Sequence, residues 1–156
     1  MKVKVKVAFI CVHNACRSQM AEAIARLLAS DTLEVYSAGI DIKPQINQHA
    51  VTVIKKLYDV DMNETQKPKT LSDIPQTDIV VTMGCGVPCS IFPGVLWECW
   101  TLEDPTGKGE SEFVRSAKLI EEKVLELKHR IDEYWDFSII HFSRLELSEI
   151  ECALEA

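Results

Sequence analysis

The chain has 156 residues, 47% of them apolar and 26% charged, with a formal net charge of −7. That length and apolar content suit one globular domain with its own core and argue against disorder. The acidic balance argues against a nucleic-acid binder and against docking on an anionic membrane surface. No apolar run approaches the ~20 residues needed to span a bilayer. Met1 to Val7 alternates Lys and Val and lacks the apolar core of a secretory signal. A cytoplasmic protein is expected.

In chain order, Val3, Val5 and Val7 alternate with lysines and run into Ala8-Phe9-Ile10, which predicts a strand entering the core. Met20, Ile24, Leu27 and Leu28 fall at helical spacing, predicting a helix over roughly Arg17 to Ala29. A short strand follows at Leu33 to Ser37, ending at Gly39. Ala50, Val53, Ile54 and Leu57 line one face of a second helix, and the polar stretch Asp59 to Asp73 reads as a connecting loop. Ile79 to Met83 is a buried strand by its β-branched content. Gly84 to Gly94, with three Gly and two Pro, is a loop. Val95 to Trp100 is a fourth strand. Phe113, Ala117, Ile120, Val124, Leu127, Ile131 and Trp135 then mark one stripe of a long helix.

Strands alternating with helices predict an α/β fold: an open, mostly parallel sheet with helices on both faces. Ligands of such sheets bind at the carboxyl ends of the strands. Three segments meet there: Cys11 to Arg17, Gly84 to Cys89, and Glu103-Asp104-Pro105. Six cysteines are many for this length. Without an export signal they point to metal binding or redox chemistry rather than a disulfide framework. Four form two tight pairs, Cys11 with Cys16 and Cys85 with Cys89. A zinc site would need a second Cys/His pair at ligand spacing, which is lacking. Cys99 and Cys152 read as structural or incidental.

Cys11-Val12-His13-Asn14-Ala15-Cys16-Arg17-Ser18 lies between a buried strand and a helix N-terminus. Free backbone N–H groups and the helix dipole favour an anion there. Val12 to Ser18 therefore form the candidate oxyanion cradle. Arg17 can grip two anion oxygens with its planar fork. The same field favours the thiolate form of Cys11, a nucleophile, and Ser18 can donate a hydrogen bond to it.

The stretch Cys11 to Ala23 resembles the phosphate loop of the low-molecular-weight tyrosine phosphatase fold, and the resemblance covers roughly Val3 to Arg130. Ser18-Gln19-Met20-Ala21-Glu22 resembles the arsenate reductases on that fold, where the phosphatases more often have Pro in place of Gln19. The resemblance implies a single domain with a four-stranded parallel sheet. His13 stands where the family has Gly, which questions the backbone angle at that position; it reads as a solvent-facing rim residue. Asn14 matches the residue that braces the loop. Cys16 reads as a small buried packing residue.

Cys85 and Cys89, between flexible glycines, can approach within disulfide range and face Cys11 if the sheet forms as argued. Three thiols at one oxyanion site suit two-electron reduction of arsenate. By resemblance to thioredoxin-coupled arsenate reductases, Cys85 attacks the Cys11 adduct and Cys89 is the final thiol. The best-known members place more residues between the two, and Met83-Gly84-Cys85-Gly86 also resembles members using a small-molecule thiol with glutaredoxin or mycoredoxin. An external thiol reductant, thioredoxin or glutaredoxin-type, is therefore expected, with no bound cofactor. Phosphate or sulfate is expected to compete with arsenate.

Asp104-Pro105 can hold a carboxyl group above the oxyanion to protonate a leaving oxygen. Thr106-Gly107-Lys108 follows, as in the reductases, where phosphatases often carry a tyrosine pair. Some reductases hold potassium beside the loop, and Asn14, Glu22 and Ser37 match those ligands. The further acidic ligand is lacking, since Gln66-Lys67-Pro68-Lys69 occupies its region, so no metal is assigned. Residues 1–135 form the catalytic domain and 136–156 a C-terminal extension read as helical. That extension is expected to dock on the domain, with a dimer contact as the alternative, and the protein is expected to be a monomer. The rival readings are a phosphatase using Cys11, Arg17 and Asp104, and a non-catalytic oxyanion or redox sensor.

Overall fold

The computed structural model describes residues 3–84 and 96–135. Cys85, Cys89, Cys152 and the extension 136–156 lie outside the described residues.

Four parallel strands form one sheet in the order β2-β1-β3-β4. They are β1 (Val5–Cys11), β2 (Leu33–Gly39), β3 (Ile79–Thr82) and β4 (Leu96–Cys99). The helices are α1 (Arg17–Leu28), α2 (Gln48–Tyr58), α3 (Met62–Thr65) and α4 (Glu110–Tyr134). The parallel sheet with helices agrees with the expected architecture. β1 begins at Val5, later than Val3, because its pairing starts where Val5 N–H donates to the Thr32 carbonyl and Val5 meets Leu33. It also runs one residue further than expected, to Cys11 opposite Gly39.

β1 is covered on both faces, as a central parallel strand must be. Val5, Val7 and Phe9 join Ile24 of α1, Ile54 of α2 and Ile120 of α4 in the main core. Ala8 and Ile10 point the other way, into a smaller cluster with Ala38, Val80 and Trp97, against which Leu71 and Ile74 pack. The stripe predicted for α4 is buried from Phe113 to Ile131. The stretch expected as a plain loop after α2 instead contains α3 and a single 3-10 turn, Leu71–Asp73. Asp61 caps α3 by accepting from Asn63 N–H, and Met62 is fully buried, so a local cap and one apolar anchor order four otherwise polar residues.

From β1 the chain passes to β2 on one side of the sheet and later to β3 on the other. The strand order thus reverses beside β1, and the crevice at the carboxyl ends of β1 and β3 is the switch point where such sheets bind ligands. Cys11 ends β1 at that point. Gly39 ends β2 beside it, in very close approach to the following loop. A Cβ there would lie 2.8 Å from the Val12 carbonyl oxygen and 2.9 Å from Asn14 N. Both are backbone atoms that cannot swing away. Gly39→Ala is expected to destabilise the protein by about 1–3 kcal/mol, the usual range for overpacking. Urea unfolding checks this, and an unchanged midpoint would contradict the close approach.

Candidate active site

The loop from Val12 to Cys16 turns its carbonyls outward. The Val12 carbonyl accepts from Ile40 N–H at 2.9 Å and Asp41 N–H at 2.8 Å. His13 O accepts from Lys43 N–H at 3.2 Å, and Ala15 O from Asn47 N–H at 2.7 Å. Asn14 O accepts from Gln19 Nε2 at 3.1 Å. With the carbonyls bound by the segment after β2 and by α1, the amides of the same peptides are left for the loop interior. No side chain caps α1 and no acidic residue lies in its first turn, so its N-terminal amides remain suited to an anion. The left-handed backbone angle falls at Asn14 (φ 48°), a residue that tolerates it. It does not fall at His13, so the histidine needs no glycine-like conformation. His13 is exposed at the rim, with Nδ1 2.9 Å from the Asp41 carbonyl oxygen.

Beneath the loop runs a buried chain of hydrogen bonds. Ser37 Oγ donates to Glu22 Oε1 at 2.9 Å. Asn14 Nδ2 donates to Ser37 Oγ at 3.0 Å and to Ser18 Oγ at 2.8 Å. Ser18 Oγ lies 2.8 Å from Cys11 Sγ. The donor directions follow from the end groups. A carboxylate only accepts, so the single Ser37 hydroxyl proton goes to Glu22. Asn14 then spends both amide protons on Ser37 and Ser18, and when Cys11 is a thiolate, which can only accept, the Ser18 proton goes to the sulfur. Asn14 cannot flip, because its Oδ1 accepts from Lys69 N–H at 2.8 Å and Gln19 Nε2 at 2.9 Å.

Arg17 is anchored as well as charged. Its Nη1 donates to the carbonyls of Met83 and Leu102, each at 2.7 Å, and its Nη2 lies 3.8 Å from Asp104 Oδ2. The guanidinium thus ties the loop after β1 to the chain leaving β3 and to the chain after β4. Gly84 (φ 148°) passes so close that a Cβ there would sit 2.5 Å from Arg17 Nη1. Asp104 accepts from Thr106 N–H at 3.0 Å and Thr106 Oγ1 at 2.7 Å. Partial burial pushes its carboxyl up, but the Thr106 hydrogen bonds and the charges of Arg17 and Lys43 outweigh this and hold it below the ordinary value. Cys16 is buried, and burial, aided by nearby Asp104, pushes its thiol up to about 12. That agrees with a packing residue. Cys11, Arg17, Lys43, Asn47, Asp104 and Thr106 line a cleft of about 490 Å³.

The structure therefore gathers Cys11 to Ser18 and Asp104 at one crevice, with Glu22 and Ser37 buried beneath the loop; Cys85 and Cys89 lie outside the described residues. Sequence reasoning missed the parts played by Gln19, Gln66, Lys69, Lys43 and Gly39. Gln66 Nε2 donates to Gln19 Oε1 at 2.7 Å and so joins the strap around Asn14. Gln66, Lys69, Lys43 and Gly39 carry no local pattern, because each acts through a contact distant in sequence, whereas Gln19 braces Asn14 from five residues on. The ligands for a potassium ion do not fit one here: Lys69 Nζ lies 3.2 Å from Glu22 Oε1.

A thiol ending the central strand, an uncapped helix start and an anchored arginine define a cysteine-dependent enzyme class acting on tetrahedral oxyanions. A family model described as low molecular weight phosphotyrosine protein phosphatase matches residues 6–135, and the chain belongs to that family. Arsenate reductase 1 of Staphylococcus epidermidis is 36% identical over 132 residues, covering 82% of this chain and 98% of that protein. The arsenate reductase of Staphylococcus xylosus is 40% identical over 116 residues, covering 72% of this chain and 87% of that protein. The solved structure of an arsenate reductase in the phosphate binding state matches with TM-score 0.74 at 29% identity, covering 83% of this chain and 99% of that one. A thioredoxin-dependent arsenate reductase of Corynebacterium glutamicum matches with TM-score 0.68 at 34% identity, covering 83% of this chain and 62% of that one.

Two outcomes are expected. Iodoacetamide at neutral pH should leave Cys16 unlabelled in the folded protein and label it after denaturation, read by peptide mass spectrometry; labelling in the folded state would contradict its buried thiol. Thr106→Val removes a hydrogen bond to the charged carboxylate, so the pKa of Asp104 should rise towards the ordinary carboxylate value. A carboxyl titration by NMR checks the sign, and an unchanged or lower value would refute it.

Proposed function

We propose that the protein reduces arsenate to arsenite in the cytoplasm as a monomer. The observation that carries this reading is Cys11 Sγ held 2.8 Å from Ser18 Oγ, where the hydroxyl can donate to the thiolate, in a loop whose carbonyls are bound on the outside. The similarity to arsenate reductases over almost the whole length of those proteins selects arsenate among the oxyanions such a loop accepts. Arsenate sits on the amides of Val12 to Cys16 and on Arg17.

The Cys11 thiolate attacks arsenic, and an oxygen leaves as water with a proton from the carboxyl of Asp104. Asp104 is ionised in the free protein at neutral pH. The bound anion adds negative charge beside it, which favours its uptake of a proton. The thiolate of Cys85 then attacks the sulfur of Cys11. The new S–S bond forms as the As–S bond breaks, and the electron pair leaves with arsenic as arsenite. Cys89 exchanges into that disulfide, frees Cys11, and presents the Cys85–Cys89 disulfide to an external dithiol. The order of the two thiols follows the resemblance to thioredoxin-coupled arsenate reductases. The reductant is thioredoxin or a glutaredoxin-type protein, and no cofactor is bound.

Arsenate-dependent NADPH oxidation with thioredoxin and thioredoxin reductase tests the proposal, beside a glutaredoxin–glutathione assay and an aryl phosphate assay. Wild type should turn over arsenate with one of the two reductants. Cys11→Ser should abolish all activity. Cys89→Ser should abolish repeated arsenate turnover while sparing any aryl phosphate cleavage. Retained turnover in Cys89→Ser would sink the three-thiol relay. Aryl phosphate cleavage without arsenate reduction would make the protein a phosphatase.

A further inference from the structure

Glu22 lies on α1 with 1% of its surface exposed, and no step at Cys11 uses it directly. A carboxylate buried this deeply needs a compensating cation. Two are present. Arg26 Nη1 lies 3.3 Å from Glu22 Oε2, but its side chain is 48% exposed. Lys69 Nζ lies 3.2 Å from Glu22 Oε1, and its side chain is only 18% exposed. Lys69 Nζ also donates to the Lys67 carbonyl at 2.9 Å. Its backbone N–H donates to Asn14 Oδ1 at 2.8 Å. One residue therefore grips both ends of the chain that runs from Glu22 through Ser37 and Asn14: its ammonium holds the carboxylate and its amide holds the asparagine.

Glu22 as acceptor fixes the Ser37 end of that chain. If the carboxylate moves away to find water, Ser37 is free to turn its proton elsewhere. Asn14, still oriented through its Oδ1, then loses a fixed partner for one of its two amide protons, and its hold on Ser18 beside Cys11 Sγ loosens. The oxygens that could coordinate a free cation, from Glu22 and Lys67, already face an ammonium.

We propose that Lys69 is a positioning residue for the Cys11 nucleophile, a tethered ammonium that holds the place a free monovalent cation would otherwise take beside Glu22. The proposal rests on Cys11 as the nucleophile but not on whether arsenate or a phosphoester is its substrate. Arg26 lacks the same reach, because it touches the other oxygen and has no contact with Asn14.

The test measures turnover and the rate of Cys11 alkylation at neutral pH in wild type, Lys69→Ala, Lys69→Met and Lys69→Arg. Each is assayed in choline, potassium or ammonium chloride at one ionic strength, choline being too large for the site. Wild type should be indifferent to the cation. Lys69→Ala in choline should lose about tenfold in both readouts, the scale seen when an outer partner of a site is removed. Ammonium or potassium should restore several-fold of that loss. Lys69→Arg should recover most of the alkylation rate. Lys69→Met keeps the bulk and loses the charge, so its slow alkylation should not respond to any cation.

Wild-type alkylation that depends on potassium overturns the proposal. So does a Lys69→Ala that matches wild type in choline, or one that no cation restores. Should Lys69→Ala fail to fold, Lys69→Met decides: an alkylation rate equal to wild type overturns the proposal. Wild type that neither reduces arsenate nor cleaves aryl phosphate defeats the functional reading alone, because the alkylation arm still reports on Lys69.

Discussion

A cradle of backbone amides can face an anion only if the carbonyls of the same peptides are satisfied on the other side. In this protein that constraint is met by chain from outside the loop. Ile40, Asp41, Lys43 and Asn47 donate to the carbonyls of Val12, His13 and Ala15, while Gln19 and Lys69 hold Asn14. Asn14 stands at the centre, with a left-handed backbone and an amide that cannot flip, bonded to three side chains and the Lys69 backbone N–H. Unpaired carbonyls turned into the loop would repel the oxyanion that the helix start attracts. Gly39 follows from the same demand, because only a residue without a side chain lets β2 come close enough to Val12 and Asn14.

The sheet explains why these pieces meet. The chain leaves β1 for one neighbour and returns on the other side, so the loop after β1 opens over the crevice beside β3. Arg17 uses that crevice structurally before any substrate arrives, since its guanidinium closes on the carbonyls of Met83 and Leu102. Holding the fork in place in advance lowers the ordering cost when an anion binds. The ion pair with Asp104 at 3.8 Å brings the acid to the same guanidinium, and the hydrogen bonds from Thr106 aim the carboxylate.

Two cysteines five residues apart show how environment rather than residue type assigns chemistry. Cys11 faces a directed hydroxyl and the helix start. Cys16 is buried at that start, close to the Asp104 carboxylate, and its thiol is pushed up to about 12. The family to which the chain belongs bears the name of a phosphatase, and its relatives of similar sequence are arsenate reductases. Both chemistries begin with a thiolate attacking a tetrahedral oxyanion. They part at the next step, where hydrolysis needs water and reduction needs a second thiol.

Much of this was legible in the chain itself. The apolar runs of β1 and β3 follow from burial on both faces of the sheet, and the stripe from Phe113 to Ile131 from burial of one face of α4, so each appears in the local sequence. Cys11, Arg17 and Ser18 lie within eight residues at a strand-to-helix junction, and that spacing in that place pointed to an oxyanion loop. The short helix at Met62–Thr65 escaped notice because one cap and one buried methionine make it, too little to leave a period. The partners of the loop were hidden for a different reason. Lys69 meets Asn14 across 55 positions and Arg17 meets Leu102 across 85, contacts that exist only once the sheet has brought its strand ends together. The sequence by itself determined which residues could do the chemistry. The tertiary structure decided which way their protons point and what holds the loop open, because hydrogen-bond direction and charge compensation are properties of neighbours in space.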